Sequence, residues 1–116
     1  MRGPIDLNRW TPPGRETAEY AAELLRSTHL SEVRSAEEWL TRHPHAAVPA
    51  LIQALVTPSA QPAAVLLGAI GGDEAIEPLI AAHTRGGEGL REAVERGLRL
   101  NGSPRALAAL DGLDRA

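Results

Sequence analysis

From Glu16 onward, apolar residues recur along the chain at three- and four-residue spacings, the pattern of helices with one buried face. Ala18, Ala21, Ala22, Leu24 and Leu25 make the first such stripe, just after Pro13 and Gly14. The pattern predicts a second helix over about 31–43 with Ser31 as its N-cap. A third is expected over about 46–56, which places Pro49 in the first turn, where no N–H is needed. A fourth spans about 61–70 and ends at Gly71-Gly72, a C-terminal stop signal. A fifth follows over about 73–84 with Asp73 as its cap, then a sixth over about 88–100 after Gly86-Gly87. Ser103-Pro104 opens a last short helix to about residue 113. Period-two alternation is not sustained anywhere, so no strand is expected.

The helices repeat. Ala47-Val48-Pro49-Ala50-Leu51-Ile52 lies over Ala75-Ile76-Glu77-Pro78-Leu79-Ile80, an offset of 28 residues from 47 to 75. Ala106-Leu107 continues the series at an offset of 31 from 75 to 106. Trp39, Leu67 and Leu98 take matching places near the ends of the helices that precede these segments, which points to a core place for Trp39 over an interface role. Two helices per ~30 residues is the signature of stacked helical hairpins, in which one hairpin buries its apolar face only against the next. The reading is all-α: an α-solenoid of about three helical hairpins plus a C-terminal helix. An extended N-terminal arm over 1–14 precedes the repeat domain over 15–116.

Composition narrows the function classes. The chain has 116 residues, 43% of them hydrophobic and 3% aromatic, with no Phe. Its core is therefore aliphatic and rich in Ala, the best helix former. The net charge of −3 disfavours generic nucleic-acid binding, which draws on a basic excess. With no Cys there is no disulfide, no thiolate nucleophile and no cysteine-based metal site. The N-terminus lacks the apolar stretch of a signal peptide and no stretch is long enough to span a bilayer, so the expectation is a cytoplasmic protein without a membrane segment.

The segment Ser31-Glu32-Val33-Arg34-Ser35-Ala36-Glu37-Glu38-Trp39-Leu40, followed by Ala46-Ala47-Val48-Pro49-Ala50-Leu51, resembles the short bacterial HEAT repeats of the phycobilin-lyase type. Gly71-Gly72-Asp73-Glu74-Ala75-Ile76 and Gly102-Ser103-Pro104-Arg105-Ala106-Leu107 match the same inter-repeat turn. The resemblance covers about residues 31–113. It implies a fold, a right-handed α-solenoid of about three HEAT-like hairpins, more than a function, because that family includes scaffolds, lyases, a hydroxylase and DNA-lesion binders. The His-Glu pairs that resemble iron ligands in its hydroxylases are absent here, since no His precedes a Glu. The Val-Arg opening of second helices is replaced by Gln61-Pro62-Ala63-Ala64 in the fourth helix, and Leu90-Arg91 is shifted by about a turn in the sixth. By this resemblance the second helix of each hairpin lines a concave surface, which would expose Arg34, Glu38 and Arg42 from one hairpin and Arg91, Glu95 and Arg99 from another.

No constellation for chemistry stands out. His43 and His45 flank Pro44 without a third ligand nearby and read as turn residues. His29 and His83 fall near helix ends, where the dipole favours a cation. Glu37-Glu38 and Glu16/Glu19/Glu23 read as solvated faces. Gly86-Gly87-Glu88-Gly89 lacks the Lys-Ser/Thr of a phosphate loop. Trp10 lies in the arm near Ile5 and Leu7, either capping the first hairpin or docking on a partner. In the last helix Leu107, Leu110 and Leu113 share a face that closes the stack or, where apolar surface is left over, favours self-association or a partner subunit. The expectation is a non-catalytic adaptor or scaffold, without a cofactor or metal. It would bind a protein partner through Trp10, Arg34, Glu38, Arg42, Arg91, Glu95 and Arg99, with homo-oligomers and a lyase-like role for a chromophore or small molecule as the alternatives.

Overall fold

The stop signals and apolar stripes translate into seven α-helices in a computed structural model that describes residues 14–114. They are α1 (Arg15–Leu24), α2 (Leu30–Arg42), α3 (Pro44–Ala54), α4 (Ala60–Ile70), α5 (Ile76–Arg85), α6 (Glu88–Asn101) and α7 (Pro104–Asp114), with a 3-10 turn over Gly72–Ala75 ahead of α5. No strand occurs among the described residues. The arm, including Trp10, lies outside them.

Several boundaries differ from the sequence expectation for local reasons. Ser31 is not the N-cap of α2. The helix begins at Leu30 after His29, and Ser27 Oγ accepts the His29 N–H at 3.0 Å in the turn before it. Pro44 does not separate α2 from α3 by a loop. It is the first residue of α3, and His43 serves as C-cap of one helix and N-cap of the next. Pro49 is consequently the sixth residue of α3 rather than a first-turn residue. The carbonyl it deprives of a helical donor belongs to His45, which is exposed to water. Asp73 lies within the 3-10 turn and makes no capping bond; its carboxylate faces Arg105 Nη1 of α7 at 3.7 Å. The expected stops at Gly71-Gly72 and Gly102 hold, with Gly72 and Gly102 at φ of 59° and 67°, the left-handed region that glycine enters without strain. Ser103 caps α7, its Oγ accepting the Ala106 N–H at 3.1 Å.

Burial follows the repeat phase. Ala47, Ala75 and Ala106 are fully buried at equivalent positions, as are Leu51 and Leu79. Trp39, Leu67 and Leu98 are buried as a second equivalent set. The series breaks at the end of the chain. Val48 and Ile76 are buried, but their counterpart Leu107 is 49% exposed, because no helix follows α7 among the described residues. The face α7 turns to the core is Ala106, Ala109, Leu110 and Leu113, so the expected leucine stripe is only partly used.

Helices adjacent in sequence pack on each other, and hairpins meet through alternating layers. The first and second hairpins join chiefly through α1 and α3, and the second and third chiefly through α4 and α6. The last helix rests on α5 and α6. Both principal junctions are lined with small residues. Ala18, Ala21, Ala22, Ala47 and Ala50 are buried in α1 and α3, the helices of the first junction. Gly68 of α4 and Gly97 of α6 form the second. A Cβ at Gly68 would lie 2.1 Å from the Gly97 carbonyl oxygen, and one at Gly97 would lie 2.5 Å from the Ala64 oxygen. Only glycine lets the two backbones meet this closely. Asn101 ties the same helices at their ends, its Nδ2 donating to the carbonyls of Gly68 at 3.1 Å and Gly72 at 3.0 Å. The result is elongated, 51 × 24 × 20 Å. No helix among the described residues is long and apolar enough to cross a membrane.

Candidate functional site

The close contact of α4 and α6 creates a groove on their outer side. In α6, Val94, Gly97 and Leu98 face the core. Gly89, Glu92, Arg96 and Arg99, spaced by three and four residues, make an exposed stripe. Helix α4 contains no charged residue, and it offers Gln61, Pro62 and Val65 to the same groove. The open space between them is about 570 Å³. Its lining combines the half-buried apolar Pro62, Val65 and Ala93 with Glu92, Glu95, Arg96 and Arg99. Gln61 reaches across to α6: its Nε2 lies 2.6 Å from where a Cβ of residue 89 would be, so Gly89 leaves room for it.

Two of the sequence-predicted residues meet here. Glu95 accepts from His83 Nε2 of α5 at 3.0 Å, and Arg99 Nη2 approaches its other oxygen at 4.0 Å. His83 and Glu95 are both shielded from bulk water, which makes this cross-helix contact firmer than the Arg99 pair, an exposed contact of under ~1 kcal/mol. His83 does lie in the last turn of α5, but its place is fixed by this side-chain partner as well as by the helix end. Arg91 is exposed one turn before Glu95 and stands outside the groove.

The other three lie elsewhere. Arg34, Glu38 and Arg42 are exposed on α2, with Arg42 Nη2 3.8 Å from Glu38 Oε2. Helix α2 packs principally on α1 and α3 and does not border the groove. The charged residues of α2 and α6 therefore form two patches rather than one continuous surface. Arg96, Glu92, Gln61 and Val65 escaped the sequence reading. The three-four-three spacing of Gly89, Glu92, Arg96 and Arg99 carried the signal for the α6 half.

A second depression, of about 640 Å³, runs between α1 and α3 and is bordered by Glu19, Glu23, Ala50, Gln53 and Ala54. The two turn histidines have separate surroundings. The His43 ring packs against Trp39 at a 45° tilt with centroids 4.5 Å apart, while His45 borders a shallow site with Arg15 and Glu19. Among the described residues no three His, Asp or Glu side chains are grouped to hold a metal. Comparison with family models, curated proteins and solved structures finds no match to this chain.

Proposed function

We propose that the protein is a non-catalytic interaction module, a short HEAT-like solenoid whose α4–α6 groove receives a segment of a protein partner. The observation that carries this reading is the groove itself: apolar side chains interspersed with charges of both signs, beside a crossing where two helices meet backbone to backbone. Protein interfaces ordinarily combine apolar contacts with polar and charged ones. Mixed charge suits the selection of a protein segment better than the holding of a polyanion. The repeat offsets of 28 and 31 residues and the matching burial of Ala47, Ala75 and Ala106 support the HEAT-like part of the reading. Arg96 has no ion-pair partner among the described residues, and Glu95 is engaged by His83. The segment best matched to the groove is therefore one with a carboxylate beside small apolar side chains. A chromophore or other small molecule would draw on an enclosed apolar cavity; charged walls along an open groove favour a polypeptide.

The test is affinity capture of the tagged protein from its host, with the eluate weighed intact. Wild type is expected to retain one stoichiometric protein, and Val65→Asp with Arg96→Glu to lose at least tenfold in affinity, about 1.4 kcal/mol. Arg34→Ala with Arg42→Ala is expected to bind within about twofold of wild type, because exposed charges remote from the contact contribute little. Retention of the partner by the groove variant would rule the groove out as the binding site.

A further inference from the structure

The depression between α1 and α3 differs in charge from the α4–α6 groove. Both helices end beside it, since their last residues, Leu24 and Ala54, belong to its lining. Neither has a basic residue in its last turn, where the helix dipole favours a cation. Glu19, Glu23 and Glu32 add carboxylates at exposed positions, against the guanidinium of Arg26. Arg15 Nε donates to Glu19 Oε1 at 2.9 Å and Ser27 Oγ to Glu32 Oε1 at 2.5 Å, whereas Glu23 makes no ion pair among the described residues. The same lining contains the buried side chains of Ala22, Ala50 and Ala54. Its buried polar member is Ser59, which is 3% exposed. The Ser59 N–H donates to Thr57 Oγ1 at 3.1 Å, but the Ser59 hydroxyl caps no helix and makes no hydrogen bond among the described residues. It therefore keeps both its donor and its acceptor capacity for a ligand in the depression. Among the described residues no three carboxylate or imidazole side chains are grouped to hold one metal ion. The negative charge here is spread out, and it suits positive charge spread in the same way.

We propose that the α1–α3 depression binds a linear aliphatic polyamine. Its ammonium groups donate to the carboxylates of Glu23 and Glu32 and to the oxygen of Glu19 that Arg15 leaves open, as charge-assisted hydrogen bonds. One N–H is accepted by the Ser59 hydroxyl oxygen, and the methylene groups lie on Ala22, Ala50 and Ala54. Glu19 and Glu23 are one turn apart on α1, about 5–6 Å between their Cβ atoms. A short run of methylene groups holds two ammonium groups at a similar separation. The volume of about 640 Å³ lies in the range of small-ligand sites. An apolar chromophore would lack an enclosed cavity here, but a chain charged along its length keeps its hydration on the open side. The depression is built on α1 and α3, apart from the α4–α6 groove, so the proposal stands whether or not that groove receives a partner.

The probe is spermidine, titrated at low salt into the full-length, isotope-labelled protein and followed by amide signals. Saturable shifts at Ala22, Ala54 and Ser59 are expected, with an affinity that falls as salt is raised. Glu23→Gln with Glu32→Gln is expected to weaken binding by about tenfold or more, through lost hydrogen bonds between charged groups. Ser59→Ala is expected to weaken it by about threefold, with helix content unchanged. Glu77→Gln with Glu88→Gln, exposed carboxylates of α5 and α6 outside the depression, is expected to bind within about twofold of wild type. The absence of a saturable shift overturns the proposal. So does an equal loss in the two glutamine pairs, which would reduce the binding to a response to net charge. Magnesium ion saturating the same signals with equal affinity would assign the depression to a point charge. Tighter binding there by a lysine peptide of the same charge would assign it to a polypeptide. Either result also refutes the polyamine site.

Discussion

Gly68 and Gly97 show how one missing methyl group sets the geometry of a fold. Each removes the Cβ that would collide with the backbone of the facing helix, at 2.1 and 2.5 Å respectively. Gly97→Ala is therefore expected to destabilise the protein by about 3 kcal/mol, at the upper end for overpacked sites, because backbone rather than a flexible side chain has to yield. Gly112→Ala is the contrasting case. A Cβ there would meet nothing within 4 Å, and the substitution is expected to stabilise α7 by about 0.5–1 kcal/mol through helix propensity. Urea denaturation of the two variants checks both signs. Asn101→Ala removes two contacts from the end of α6, to a carbonyl of α4 and to one in the 3-10 turn after it, and is expected to cost about 1–3 kcal/mol by the same measurement. The sequence announced Gly72 and Gly102 as stops, because glycine at a helix end has a local reason. It did not announce Gly68 and Gly97, since a mid-helix glycine has a reason only once the opposing backbone is known.

Among the helices, periodicity located all seven because each carries an amphipathic or apolar stripe of two turns or more. What it missed depended on the neighbours of each helix. Pro44 signals a break and also pre-organises the start of a helix, and here the second effect decides, so α2 and α3 join at His43 with no loop. Asp73 had the chemistry of a cap, but its carboxylate is engaged across the fold by Arg105. The leucines of α7 make a stripe by spacing alone, yet Leu107 needs a following helix to cover it and has none among the described residues. Ile76 and Leu107 occupy equivalent repeat positions with opposite surroundings. Ile76→Ala is expected to cost about 2–4 kcal/mol and Leu107→Ala less than about 1 kcal/mol in chemical denaturation. Equal losses would undo the contrast in burial between these two repeat positions.

Across the full helix array, the charged residues of α6 were legible as a surface, but their neighbours were not. Spacing placed Glu95 and Arg99 on one side of α6, and both border the groove. It could not show that α4, a helix without charge, borders the same space, or that Arg96 does. Nor could it show that hairpins meet through alternating layers, which leaves Arg34, Glu38 and Arg42 on a separate patch. These facts follow from the α4–α6 crossing, where non-local backbone contact decides the outcome. If a partner segment lies in that groove, a position-specific cross-link will find it there. A photoreactive group attached at Gln61→Cys, on the groove, is expected to capture one protein from the host in a defined ratio. The same group at Gln53→Cys, on the α1–α3 side, is expected to capture none of it. Capture of that protein from residue 53 and not from residue 61 would place the partner on the other side of the molecule and refute the groove as its seat.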